Sequence, residues 1–390
     1  MFSPRVINII AKSFTYMDYT QVLPFRWDNR LNTIGTKNNG LTFLSSQLFF
    51  CLKVTYVLYL VMQLILTVKQ PQPKIMDIYW ITTMLYGHFI SSEGLLNPIL
   101  KKDDWAVFYK QVVIFDDKLN ELQISDLQRR RKNGEKLAYY ICKGNVLTAI
   151  SFCTFATIVY LYNPRAPQYP AWPNPDSIPA YIIFAMLEVY IKCVVMPWGI
   201  LIHCWIIIAV AMKTTSITLI RKCRDPLGKR VIYFRCINLL NTFHNICYLP
   251  TLIPLRLALF GMFGLEAAVV LVRFREKITF AELGLVFQFG FAMFLCGILF
   301  LNVSGGVYKN SCKLASVLQT EKVLRMGTEF GIVRSQIVEK FTRKVVKSLR
   351  PFGVSCGPTR AFTYNSMLEF FVLVASGVTS LLVNLRERET

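Results

Sequence analysis

The chain has 390 residues, of which 54% are hydrophobic, and its mean hydropathy is +0.41. The apolar residues come in runs long enough for membrane spans, which take about 20 of them, so length and composition exclude a pair of soluble domains. The runs lack the alternation of an outer-membrane barrel. The net charge of +21 lies between the hydrophobic runs, as in cytoplasmic loops, which argues against a nucleic-acid partner.

Residues 1–40 hold one short apolar patch, 6–10, and no secretory leader is expected. They read as a cytoplasmic interfacial arm, with Phe25 and Trp27 near the membrane surface. The first span is 49–68, starting as early as 41, with Lys53 near its inner end and snorkelling out. A Pro-bearing turn at 70–73 leads to a second span, 75–100. Residues 101–136 are polar and basic, and 137–162 form the third span. Five prolines between 163 and 177 forbid a helix and predict a stiff outer cap.

Residues 178–212 are one long apolar run, kinked at Pro197. After a basic linker, Cys236, Leu240, Phe243 and Cys247 repeat at helical spacing and lead into a fifth span, 249–272. The sixth span is 280–301. Residues 303–358 are basic again, with an amphipathic stretch marked by Ile337, Phe341, Val345 and Leu349. The last span is 361–385. The expected fold is therefore all-α, with seven transmembrane helices (41–385) and extensions at 101–136, 213–245 and 303–358.

Orientation follows from the flanking charges. With the N-terminus inside, the inner segments carry five, nine, seven and ten Lys or Arg, and the outer ones two, one, three and two. Every inner segment exceeds every outer one, which places the N-terminus in the cytoplasm and the C-terminus outside. None of the eleven cysteines falls in an outer loop, and no CxxC pair suggests a metal. Neither metal nor cofactor is expected.

No catalytic motif is present, and the three histidines lie far apart, so no enzyme activity is expected. Ionisable groups inside spans are costly and often functional. Glu188 and Lys192 stand four apart and can pair. Glu93, Arg256 and Glu266 are read as structural partners first and as ligand anchors second. Aromatics crowd the outer halves of the spans. Tyr79, Trp80, Tyr86, Phe155 and Tyr190 are candidate walls of a small ligand pocket beneath the cap, between the second, third, fourth and sixth spans. Interface anchoring is the alternative for such rings.

The last span carries Ser376, Ser380 and Asn384 at i, i+4 and i+8, with Thr379 beside them. A polar stripe on a membrane helix must face protein or water. Helix packing through small residues and a water-filled pore both satisfy that rule. In the pore reading, Leu382 or Val383 supplies an apolar constriction near the outer end.

Seven spans, an inside N-terminus, basic helical extensions and a chain that ends just past the last helix resemble the arthropod gustatory and odorant receptor superfamily. That family's last helix carries a Thr-Tyr pair, five hydrophobic residues, then Gln-Phe. Here Thr379 matches, Ser380 replaces the tyrosine, and Asn384 stands for the glutamine two residues early, as in a divergent member. The resemblance implies a homo- or hetero-tetramer in membrane lipid, with four copies of the last helix around a cation pore and a shared cytoplasmic anchor. It implies a small-molecule tastant or odorant as ligand and the plasma membrane of sensory neurons as location, with a gustatory role named before an odorant one. A G-protein-coupled-type receptor needs the opposite charge bias. A secondary transporter needs internal repeats, which are not evident.

The charge asymmetry makes a direct prediction. An epitope after Thr390 is detected on intact cells, whereas one before Met1 appears only after permeabilisation. An N-terminal epitope stained on intact cells contradicts the orientation.

Overall fold

A computed structural model describes residues 4–387, apart from 21, 31, 38–39, 121–124, 163–165, 167, 170–177, 192–195, 224, 226, 249–250, 279, 326–343 and 356–360. Helices dominate. In chain order they are α1 (Pro4–Thr20), α2 (Gly40–Val68), α3 (Ile75–Leu100), α4 (Lys102–Asn120), α5 (Ser125–Tyr162) and α6 (Ile178–Tyr190), followed by α7 (Met196–Lys222), α8 (Leu227–Cys247), α9 (Leu252–Arg273), α10 (Phe280–Arg325) and α11 (Tyr364–Glu387). Two short strands, β1 (Phe25–Asp28) and β2 (Thr33–Thr36), pair antiparallel between α1 and α2.

The described residues of the expected spans are helical, except 251 and 361–363. Among the described residues, four helical stretches are long and apolar enough to cross a membrane by length and composition: Phe43–Val68, Leu252–Arg273, Gly290–Thr320 and Tyr364–Val383. The expected fourth span takes in α6 and α7, with residues 192–195 between them outside the described set. Pro197 falls in the first turn of α7, where its missing N–H has no intrahelical partner to lose. The sixth span and the start of the following extension fuse into α10. Its 46 residues give a length of about 69 Å at 1.5 Å per residue, more than twice the hydrocarbon thickness of about 30 Å.

The N-terminal segment differs from the expected arm. In α1, Val6, Ile10 and Phe14 recur every fourth residue and form one buried face. That face meets the β1–β2 hairpin, with Phe14 stacked on Trp27 at 6.1 Å. Phe25 lies 6.4 Å from Trp105, and Trp27 lies 5.8 Å from Tyr109, both partners on α4. Phe25 and Trp27 therefore belong to a core and not to a membrane surface. Side chains that large bury more apolar area against α4 than a half-immersed ring can.

One large core joins α1, α4, α7, α8 and the lower part of α10, and a second joins α3, α9 and the upper part of α10. Between them the Arg256 guanidinium on α9 donates through Nε to Glu93 Oε2 on α3 at 3.0 Å, both side chains buried. Lone charges at that depth are prohibitive, so each residue makes the other tolerable.

Arg256→Met leaves the Glu93 carboxylate buried without its cation. It is expected to cost about 3–5 kcal/mol, and adding Glu93→Gln recovers much of the loss. Thermal unfolding of the purified protein in detergent checks both; an unchanged midpoint in the single variant contradicts the assignment.

Candidate functional site

Three of the five candidate pocket aromatics come together. Tyr79 and Tyr86 are seven residues apart on α3 and share a face, with Trp80 beside them. Tyr79 and Trp80 are buried, with ring centroids 5.1 Å apart and planes nearly perpendicular. The Trp80 indole N–H donates to Glu282 Oε1 on α10 at 3.3 Å. Tyr86 meets Phe263 of α9 edge-on at 5.5 Å, with the Glu266 carboxyl close enough to interact with its hydroxyl. The wall therefore meets α10, which carries the sixth span of the expected pocket, and also α9, the fifth span, which was not among the expected walls.

Tyr190 is elsewhere. It lies two residues beyond Glu188, about 200° around the helix. With Glu188 turned inward, Tyr190 is half exposed and lies 5.8 Å from Phe49 on α2. The side chain of Phe155 lies outside the described set.

A second polar and aromatic cluster sits under the cap. Tyr56 of α2 stacks on His88 of α3 with centroids 4.2 Å apart. Its hydroxyl donates to Glu188 Oε1 on α6 at 2.7 Å and stands 3.2 Å from the Gln168 carbonyl. The Tyr59 hydroxyl donates to the Tyr169 carbonyl at 2.7 Å, and the Tyr169 ring meets Tyr160 of α5 edge-on at 4.9 Å. Residues of the cap therefore fill the space beneath it.

Lys53 belongs to the same cluster. It does not snorkel: its side chain is fully buried, with Nζ 3.1 Å from His88 Nδ1. Lys192, the partner expected for Glu188, lies outside the described residues.

The final helix packs by one edge only. Met367, Phe370, Val374 and Leu382 face the bundle, with Phe370 stacked on Phe294 of α10 at 5.8 Å. Ser376, Thr379 and Ser380 are exposed, as are Val372, Leu373 (71%) and Val383 (52%). The Thr379 hydroxyl donates back to the Ala375 carbonyl at 3.0 Å. Of the two candidate constrictions, Val383 lies on the exposed side and Leu382 packs against the second core. The side chain of Asn384 lies outside the described set. An apolar cavity of about 260 Å³ opens between α9, α10 and α11, lined by Gly264, Ala267, Gly290, Phe294, Phe371 and Ala375 among others.

No family model matches this sequence, and no curated protein matches it. Solved structures do. The olfactory receptor OR5 of the insect Machilis hrabei superposes with a TM-score of 0.68 at 12% identity, over 96% of this chain and 97% of that one. The same receptor in complex with eugenol gives 0.64 at 11%, over 97% and 96%. The chain has the fold of an insect olfactory receptor.

That receptor fold, with its long apolar helices, makes the chain a multi-pass membrane protein. Sequence reading of the receptor fold missed Tyr56, Tyr59, His88 and Tyr169. Their signal was weak, because each partner pair is separated by 35 residues or more.

Tyr56→Phe removes one donor from a buried carboxylate and is expected to cost about 1.5–3 kcal/mol, the range for hydrogen bonds to charged groups. Tyr59→Phe, whose partner is a neutral carbonyl, should cost about 1 kcal/mol or less. Unfolding midpoints of the two variants decide, and the reverse order contradicts the cluster's geometry.

Proposed function

We propose that this chain is a subunit of a chemosensory receptor of the arthropod odorant and gustatory superfamily, a ligand-gated cation channel of sensory-neuron plasma membranes. The observation that carries this reading is the last helix. In a membrane-spanning chain of receptor fold, α11 exposes Ser376 and Ser380 on the side away from its own bundle, beside Thr379, whose hydroxyl is satisfied by its own helix. Hydroxyls cannot face hydrocarbon without a partner. Four copies turned toward one axis put them in water, where they replace part of an ion's hydration shell, and Val383 forms an apolar ring that closes by dewetting.

Assembly has support of its own. On α8, Ile232, Leu239 and Ile246 lie seven residues apart and are each at least half exposed. Such a ridge suits contact with another copy within the extension layer, the shared anchor that the family resemblance implies. The ligand is a small organic molecule, tastant or odorant. It is recognised in the outer half beside Tyr79, Trp80 and Tyr86, where rings give shape and the Tyr86 hydroxyl and Glu282 give polar anchors.

Single cysteines test the pore. Positions 376, 380 and 383 fall within about 60° of one another around the helix, and 374 and 382 lie more than about 100° from 376. Cysteine at 380 or 383 should react with a charged thiol reagent and change agonist-evoked current relative to the unsubstituted receptor. Cysteine at 374 or 382 should be protected. Equal effects at all four positions contradict the pore assignment.

A further inference from the structure

Residues 351–355 lead toward α11, and three helices clamp them from different sides. From α7, Lys213 Nζ donates to Asn241 Oδ1 of α8 at 2.9 Å. The Asn241 amide nitrogen then donates to the Gly353 carbonyl at 2.8 Å. One turn on, the Asn245 amide donates to Ser355 Oγ at 3.0 Å and accepts from the Ser355 N–H at 3.2 Å. From α10, the Ser311 hydroxyl accepts from Phe352 N at 3.1 Å and donates to the Phe352 carbonyl at 2.7 Å.

The order of the first chain is fixed by chemistry. Lysine has donors only, so it holds the amide oxygen of Asn241 toward itself. The amide NH₂ is thereby turned to Gly353. Lys213 is 1% exposed and Asn241 3%. Among the described residues Asn241 is the one hydrogen-bond partner of Lys213, and no carboxylate pairs with it. A buried lysine without a counter-charge is a poor choice for stability, since burial pushes its pKa well below the usual lysine range, and an apolar residue of the same volume serves packing better. What Lys213 supplies and an apolar residue cannot is direction.

The clamped strap has little freedom to shift alone. A Cβ on Gly353 would stand 2.8 Å from Ala361 Cβ and 3.2 Å from Tyr308 Cβ. Phe362 N donates to the Val354 carbonyl at 2.9 Å, and Ser355 bridges to Ala361, tying the strap to the residues just before α11. There a Cβ on Gly305 of α10 would meet the Thr363 backbone at 2.8 Å. Movement at Gly353 is therefore passed to the first turn of α11.

We infer that Lys213 and Asn241 are positioning residues for gating, which hold the Gly353 carbonyl and so set the resting placement of α11. This rests on the reading of α11 as the pore helix. Breaking the chain leaves the Gly353 carbonyl only the longer 3.4 Å bond from the Asn245 amide, which loosens the strap, and the gate opens more readily.

The test compares Lys213→Met, Asn241→Asp and Lys213→Gln at matched surface expression, with eugenol and an odorant panel as probes. Lys213→Met loses the donor, and Asn241→Asp keeps an acceptor for Lys213 but loses the donor to Gly353. Both should raise agonist-independent current and lower the half-maximal agonist concentration by about 5-fold or more. Lys213→Gln keeps an N–H donor and should stay close to the unsubstituted receptor. Unsubstituted behaviour in the first two overturns the inference, as does an equal change in the third. A second readout needs no current: oxidative cross-linking of Asn245→Cys with Ser355→Cys in membranes, followed by mass spectrometry of the linked peptides. The pair should link readily in the otherwise unsubstituted chain and more slowly when Lys213→Met or Asn241→Asp is added. An unchanged rate overturns the inference even where Lys213→Met fails to reach the surface. If no probe evokes current from any form, the channel reading fails, and the cross-linking rate still decides the role of the strap.

Discussion

Hydrocarbon offers no hydrogen bonds, so a polar side chain within a membrane bundle must find its partner in protein or in enclosed water. Most of this chain obeys by pairing across helices. Lys53 meets His88, Glu188 meets Tyr56, Glu93 meets Arg256, and Trp80 meets Glu282. Each pair joins two different helices, so each acts as a pin between elements that apolar packing alone would let slide. The α11 stripe meets the same requirement from outside its own bundle, because Ser376 and Ser380 point away from it.

The two treatments of polarity divide the molecule mechanically. The helices before α11 are pinned to one another at several depths. By contrast, α11 rests on α9 and α10 through one edge, across small residues. Gly261 lets Phe370 approach until a Cβ there would be 3.2 Å from the ring, and Gly377 admits Leu265. Beside this edge the cavity of about 260 Å³ leaves α11 without close packing over part of its length. A helix held by an edge, with free space alongside and a clamped strap at its entry, is suited to two placements. Interfaces of this kind switch between discrete packings more readily than they deform.

Much of this was legible in the sequence, for physical reasons that also explain the failures. Runs of about 20 apolar residues mark spans because nothing else tolerates them, and the Ser376/Ser380 repeat stood out because polar side chains are costly there. Within α11, the choice between Leu382 and Val383 was not legible. The two are adjacent, and their faces depend on which edge packs against α9. Lys53 looked like a snorkelling residue because its partner, His88, comes from another helix. Phe25 and Trp27 looked interfacial because the hairpin that carries them, and the α4 rings it meets, leave no periodic signature in four-residue strands. Local pattern reports which residues avoid water or hydrocarbon; it does not report which of many candidate partners satisfies them.

The central claim is that the exposed face of α11 completes itself against other copies around an ion path. Imaging of the purified protein in lipid at side-chain detail tests it most directly. The account predicts four copies around one axis, with Ser376, Ser380 and Val383 lining it and Val374 and Leu382 turned to their own subunit. A particle in which the Ser376–Ser380 face meets lipid, or packs against a neighbouring helix with no aqueous path, contradicts it.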